Sequence, residues 1–125
     1  MSKVSIDGLA DAVAKELANY NQDVADGVKK EVRQVAQEMV QELKQTSPKD
    51  SGQYAAGWRE KTEFESAEDI RERVYNAKKP QLTHLLEHGH AKQNGGRVNG
   101  KPHIGPAEQE AEKKLTNGIK VVVRG

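Results

Sequence analysis

Within the stretch PQLTHLLEHGH, residues 80–90, His84, Glu87 and His88 spell H-x-x-E-H. In one class of zinc peptidases this pattern supplies two imidazole ligands and a general base. On a helix the two histidines fall one turn apart on one face with Glu87 beside them, an arrangement able to hold a divalent ion and polarise its bound water. Catalytic zinc needs a third protein ligand, and 37 residues follow His88. His90 comes after Gly89, a helix-ending residue type, and His103 lies beyond a glycine-rich segment, so neither is well placed to complete a ligand set. The competing reading is structural: Leu82, Leu85 and Leu86 bury a short helix that His84, Glu87 and His88 border. The sequence carries no phosphate-cradling glycine motif and no serine–histidine or cysteine–histidine couple. No catalytic residue, metal or cofactor is expected.

The elements that would position these residues follow from periodicity. Ile6, Leu9, Ala10, Val13 and Leu17 define a first helix over about 6–19. Val24, Val28, Val32, Val35, Met39 and Leu43 then recur at helical steps, predicting a long amphipathic helix over 22–46, about 37 Å in length. Its other face, with Lys29, Lys30, Arg33, Gln37, Gln41 and Lys44, reads as solvated surface. Ser47-Pro48 ends it, because the residue before a proline disfavours the α region. Pro48 to Gly52 is a turn, with Asp50 able to bond the backbone ahead of it and Gly52 suited to a positive φ. The period then becomes two: Trp58, Thr62 and Phe64 alternate with charged residues, and so do Ile70, Glu72 and Val74 with Arg71, Arg73 and Tyr75. These are two antiparallel strands. Pro80 opens a short helix over 81–88 that Gly89 closes. Residues 89–101, GHAKQNGGRVNGK, hold four glycines and three basic residues with no acid, and read as an exposed, mobile loop. A last helix begins at Pro106 and stops at Asn117-Gly118, and Ile119 to Arg124 reads as a final strand. The expected architecture is α+β: one domain, residues 1–125, in which a long N-terminal amphipathic helix and shorter helices pack on a small antiparallel sheet.

Composition narrows the function classes. Cysteine is absent, which removes disulfides and thiolate metal sites. No apolar run approaches the roughly 20 residues needed to span a bilayer, so a soluble, cytosolic chain is expected. Twenty basic residues against nineteen acidic ones give a net charge of +1, far from the basic excess of a protein that binds nucleic acid through phosphates. Lys92, Arg97 and Lys101 on the 89–101 loop are the one basic cluster of interest, and a small nucleic-acid-binding module is the rival reading they support. The apolar fraction of 34% is low and the charged fraction of 31% high, leaving little to line a deep substrate pocket.

The order of motifs resembles a known family. A long amphipathic helix is followed by Ser47-Pro48-Lys-Asp50-Ser51-Gly52 leading to Trp58, then Val74-Tyr75-Asn76, Leu86-Glu87-His88-Gly89, and Lys101-Pro102-His103-Ile104-x-Pro106-Ala107 opening a helix. Over residues 24–118 this is similar to the small minor tail and head–tail joining proteins of long-tailed bacteriophages and prophages. Leu82-Thr83 and His88 depart from the family's middle motif, which makes HLLEH a local variant of a structural string. The resemblance implies a virion protein, assembled in the host cytoplasm, that forms a homo-oligomeric ring at the head–tail interface. Its implied partners are the tail terminator and head-closure connector proteins, with non-specific contact to DNA in the lumen. It also implies roles for residues: Gly52 and Gly89 in backbone conformation, Glu87 in a local hydrogen bond or subunit contact, and Pro102 and Pro106 in a stiff entry to the last helix. Lys92, Gln93, Asn94, Arg97 and Lys101 are the candidate interface.

Overall fold

The computed structural model describes residues 22–49, 52–67 and 69–124. The helix expected over 6–19 and the turn residue Asp50 lie outside them. Helix α1 (Gln22–Thr46) has the bounds its periodicity predicts. It buries Val28, Val32, Val35, Met39 and Leu43 together with Ala25, Ala36 and Val40. That stripe is wide because α1 has two partners: it packs against the β1–β2 ribbon and against α4.

After Pro48 and Gly52 (φ +79°) comes a single turn, α2 (Gln53–Ala56), which buries Tyr54 and Ala55. Strands β1 (Trp58–Glu65) and β2 (Ile70–Asn76) pair antiparallel. Ile70, Glu72, Val74 and Asn76 point inward, as alternation requires. Trp58 is fully buried, and its indole N–H donates to Ser47 Oγ at 2.8 Å.

Phe64 departs from the alternation. A bulge between Thr62 and Phe64 shifts the register, so Phe64 sits opposite outward-facing Arg71 and is 52% exposed. The extra residue reverses the facing of the strand beyond it. Glu65 therefore turns toward α1, where it meets Lys29 Nζ and Arg33 Nη1, each at 3.1 Å. Lys29 Nζ also donates to Ser66 O at 2.7 Å. Lys29, expected on the solvated face, is accordingly buried at 5% exposure: a carboxylate and a carbonyl replace its water, and its alkyl stem covers apolar surface.

A 3-10 turn (Pro80–Leu82) leads into α3 (Thr83–His88). The segment read as a loop is instead a hairpin: β3 (Gly89–Ala91) pairs antiparallel with β4 (Arg97–Asn99), registering Gly89 with Asn99 and Ala91 with Arg97. Its residues beyond Gly89 are exposed through Asn99, as the lack of an apolar period predicts.

Helix α4 (Ile104–Arg124) corrects two expectations. It starts two residues before Pro106, and it neither stops at Asn117-Gly118 nor gives way to a strand. Ala107, Ala111 and Leu115 are buried, and Ile119 and Val122 pack on the same core, continuing steps of four and three to the end. A Cβ at Gly118 would meet the Glu31 carboxyl, and one at Gly27 would meet Val122 at 2.8 Å. Glycines thus permit a close antiparallel approach of α4 to α1, and that packing overrides the local stop signal and the β propensity of the valines.

Candidate functional site

Of the residues nominated from the sequence, Glu87, Gly89, Lys92, Gln93, Asn94, Arg97, Lys101, Pro102 and Pro106 lie on α3, the β3–β4 hairpin and the entry to α4, whereas Pro48, Gly52 and Trp58 lie on the path from α1 through α2 to β1. Glu87, at the end of α3, turns its carboxylate to the start of α4. Oε1 accepts the backbone N–H groups of His103 and Ile104, each at 2.8 Å, and Oε2 accepts that of Gly105 at 2.9 Å. Pro106 has no N–H, and the N–H of Ala107 reaches His103 O at 3.3 Å. Every donor of the first helical turn is thereby satisfied. The first turn of α4 contains no acid of its own. The negative charge that the helix dipole favours there comes from a residue 17 positions upstream. Burial alone would push the Glu87 carboxyl up, but the three backbone donors, with His103 beside it, hold it below the usual carboxylate range.

His103 is 2% exposed. Its Nδ1–H donates to Lys101 O at 2.7 Å and lies 3.1 Å from Glu87 Oε1, while Nε2 meets the Tyr54 hydroxyl at 2.7 Å. Tyr54 is buried, edge-on to Trp58, and its carbonyl accepts Asn76 Nδ2 at 2.8 Å. Asn76 Oδ1 in turn takes the N–H of Lys78 and of Lys79, at 3.2 and 2.8 Å. A connected polar chain therefore runs from the end of β2 through α2 to α4. Tyr54 and His103 were not singled out for this role by sequence reasoning; His103 entered as a remote third ligand and as one position of the motif that opens the last helix.

Of the H-x-x-E-H string, the structure separates Glu87 from its histidines. The His84 and His88 rings lie together on the exposed face of α3, centroids 4.7 Å apart. Glu87 faces inward and is committed to backbone donors. Among the described residues no group of three or more His, Asp or Glu side chains is placed to hold a metal ion.

The hairpin rises from this polar anchor on a closed stem. Lys101 N–H donates to Leu86 O at 2.8 Å, and Arg97 Nη2 donates to His88 O at 2.7 Å. Gly89 has φ +79° and ψ −179°, a region open to glycine alone. A Cβ there would collide with Val98 O, and one at Gly100 with Glu87 O. At the tip, Lys92 N–H bonds Gly96 O at 3.1 Å, closing a turn that exposes Lys92, Gln93 and Asn94. Of the five interface candidates, then, three form the tip, Arg97 braces the stem and Lys101 is its foot. Pro102 and Pro106 are exposed at the entry to α4.

One hollow of approximately 300 Å³ is lined by Trp58, Tyr75, Asn76, Pro80, Thr83 and His84. No helix among the described residues is long and apolar enough to cross a membrane.

Residues 11–89 match a protein family described as "Bacteriophage HK97-gp10, putative tail-component". The match covers well over half of the chain and ends at Gly89, the foot of the hairpin. Comparison with curated proteins and with solved structures gave no match.

Proposed function

The chain belongs to the HK97-gp10-like family of bacteriophage tail components, and from that premise we propose that it completes the tail for docking to the head. Copies form a ring at the head-proximal end of the tail and contact the tail terminator, the connector of the capsid, or both. The observation that carries this is the family match over 11–89. Two structural features support it. The described residues present open grooves, and the polar network around Glu87 serves to hold an exposed hairpin at a fixed position.

Electron microscopy of particles assembled without this protein tests the reading. Complete heads and complete, unattached tails are expected, with joining restored by adding the protein in trans. Intact virions, or tails that never polymerise, would refute a completion role.

A further inference from the structure

Two surfaces of this chain are chemically complementary and are not used on each other within one copy. The first is the hairpin. Between His88 and Ala107 the sequence contains Lys92, Arg97 and Lys101 and no Asp or Glu. Its tip, residues 92–96, is exposed, so the side-chain amides of Gln93 and Asn94 and the remaining turn backbone groups face solvent. The second is an open groove of about 670 Å³ on α1, lined by Gln34, Gln37, Glu38, Gln41, Glu42 and Gln45. From Gln34 to Gln45 the one basic residue is Lys44, against Glu38 and Glu42. Lys114 of α4 lies 3.4 Å from Glu38, whereas among the described residues Glu42 has no cation.

We propose that the hairpin tip of one copy seats in the α1 groove of the next, with Lys92 beside Glu42. The glutamine stripe suits a turn, because each side-chain amide both donates and accepts and so can bond backbone groups of either kind. The contact joins two different patches, hence it is head-to-tail, and its repetition gives a ring where the rotation between copies closes. It therefore supplies the subunit interface of the ring and rests on that reading. Since the opposed charges are at the surface, the contact weakens with salt.

The absence of cysteine makes the test clean. Lys92→Cys and Glu42→Cys are introduced singly and together, carried into assembled tails by complementation, and treated with mild oxidant or a short bis-maleimide, the latter removing the need for ideal disulfide geometry. The double variant is expected to give a ladder of covalent multimers in denaturing gels, and each single variant only monomer. Dimers from Lys92→Cys alone would show the hairpin meeting its twin and overturn the proposal; so would a double variant that is present in several copies per tail yet gives no ladder. One copy per tail would overturn the ring itself. As a second arm, Lys92→Glu and Glu42→Lys should each lower infectivity about a hundredfold and together restore it to within about tenfold, the non-additivity expected of groups in contact. Failure of the pair to restore would also refute the contact.

Discussion

Glu87 satisfies three backbone donors with one carboxylate, which links the start of α4 to a single proton. An amide does not stand in for it: glutamine keeps one acceptor oxygen and turns an NH2 group toward N–H donors. Glu87→Gln is expected to cost about 1.5–3 kcal/mol at pH 7, the range for hydrogen bonds to a charged group, measured by urea unfolding. The pH dependence has a definite sign. The folded-state pKa lies below the unfolded one, so the contribution is complete above about pH 4.3 and is lost as pH falls through the folded value. Wild type and variant should therefore converge in acid. Glu72 behaves in the opposite sense. It is 1% exposed and Oε2 has no hydrogen-bond partner. Burial, reinforced by Glu60, raises its pKa against the opposing Thr62 hydrogen bond and Arg33 charge. The fold prefers the protonated form, so ionisation costs stability as pH rises above about 4.3 and through the folded value. Glu72→Gln should raise Tm at pH 7 and leave it unchanged near pH 4, read by calorimetry at the two pH values.

At the scale of elements, two glycines with the same φ predict different outcomes. Gly52 has ψ −19° and open space around its missing Cβ, so asparagine, which tolerates left-handed backbone, should cost less than about 1 kcal/mol. Gly89 has extended ψ and abuts the Val98 carbonyl. Gly89→Asn should cost at least about 2–3 kcal/mol and loosen the hairpin, seen as faster amide exchange of the β3–β4 pairs. On α1 the buried and exposed faces separate as cleanly. Val35→Asp places an unpaired charge in the core and should unfold the domain, while Gln37→Asp should shift stability by no more than about 0.5 kcal/mol; circular dichroism melts of the two decide it. Much of this was legible in the sequence. The α1 stripe, the β1 and β2 strands and the glycine that ends α3 follow from local period and backbone chemistry. The 119–124 helix did not, because its β-branched residues suit a strand and only the presence of α1 beside Gly118 and Val122 makes the helical option better. The Phe64 flip depends on one bulged residue, the partners of Glu87 are 16 to 18 residues away and Tyr54 lies 49 from His103, where no spacing rule reaches. The hairpin was hidden because three-residue strands without apolar alternation leave no periodic trace.

Across the whole molecule, α1 and α4 form the frame to which the ribbon, α3 and the hairpin are attached. Ending the chain after Asn117 would remove Ile119 and Val122 from the core. A loss of about 1–3 kcal/mol is expected for these partly buried side chains, lowering Tm by roughly 5–20 °C for a domain of this size. Thermal melts of the truncated protein measure it, and an unchanged Tm would show the last turns of α4 to be dispensable. The antiparallel run of the two helices also dictates where anything fused to the protein would emerge. Val122 lies against Gly27 near the first turns of α1, whereas the hairpin leaves the chain just before Ile104, some 30 Å away along α4 at 1.5 Å per residue. A fluorescent protein joined after α4 would therefore sit at the far end of the helix pair from the hairpin. That leaves the Lys92–Gly96 turn unobstructed while reporting, in a single particle, when this subunit joins the tail.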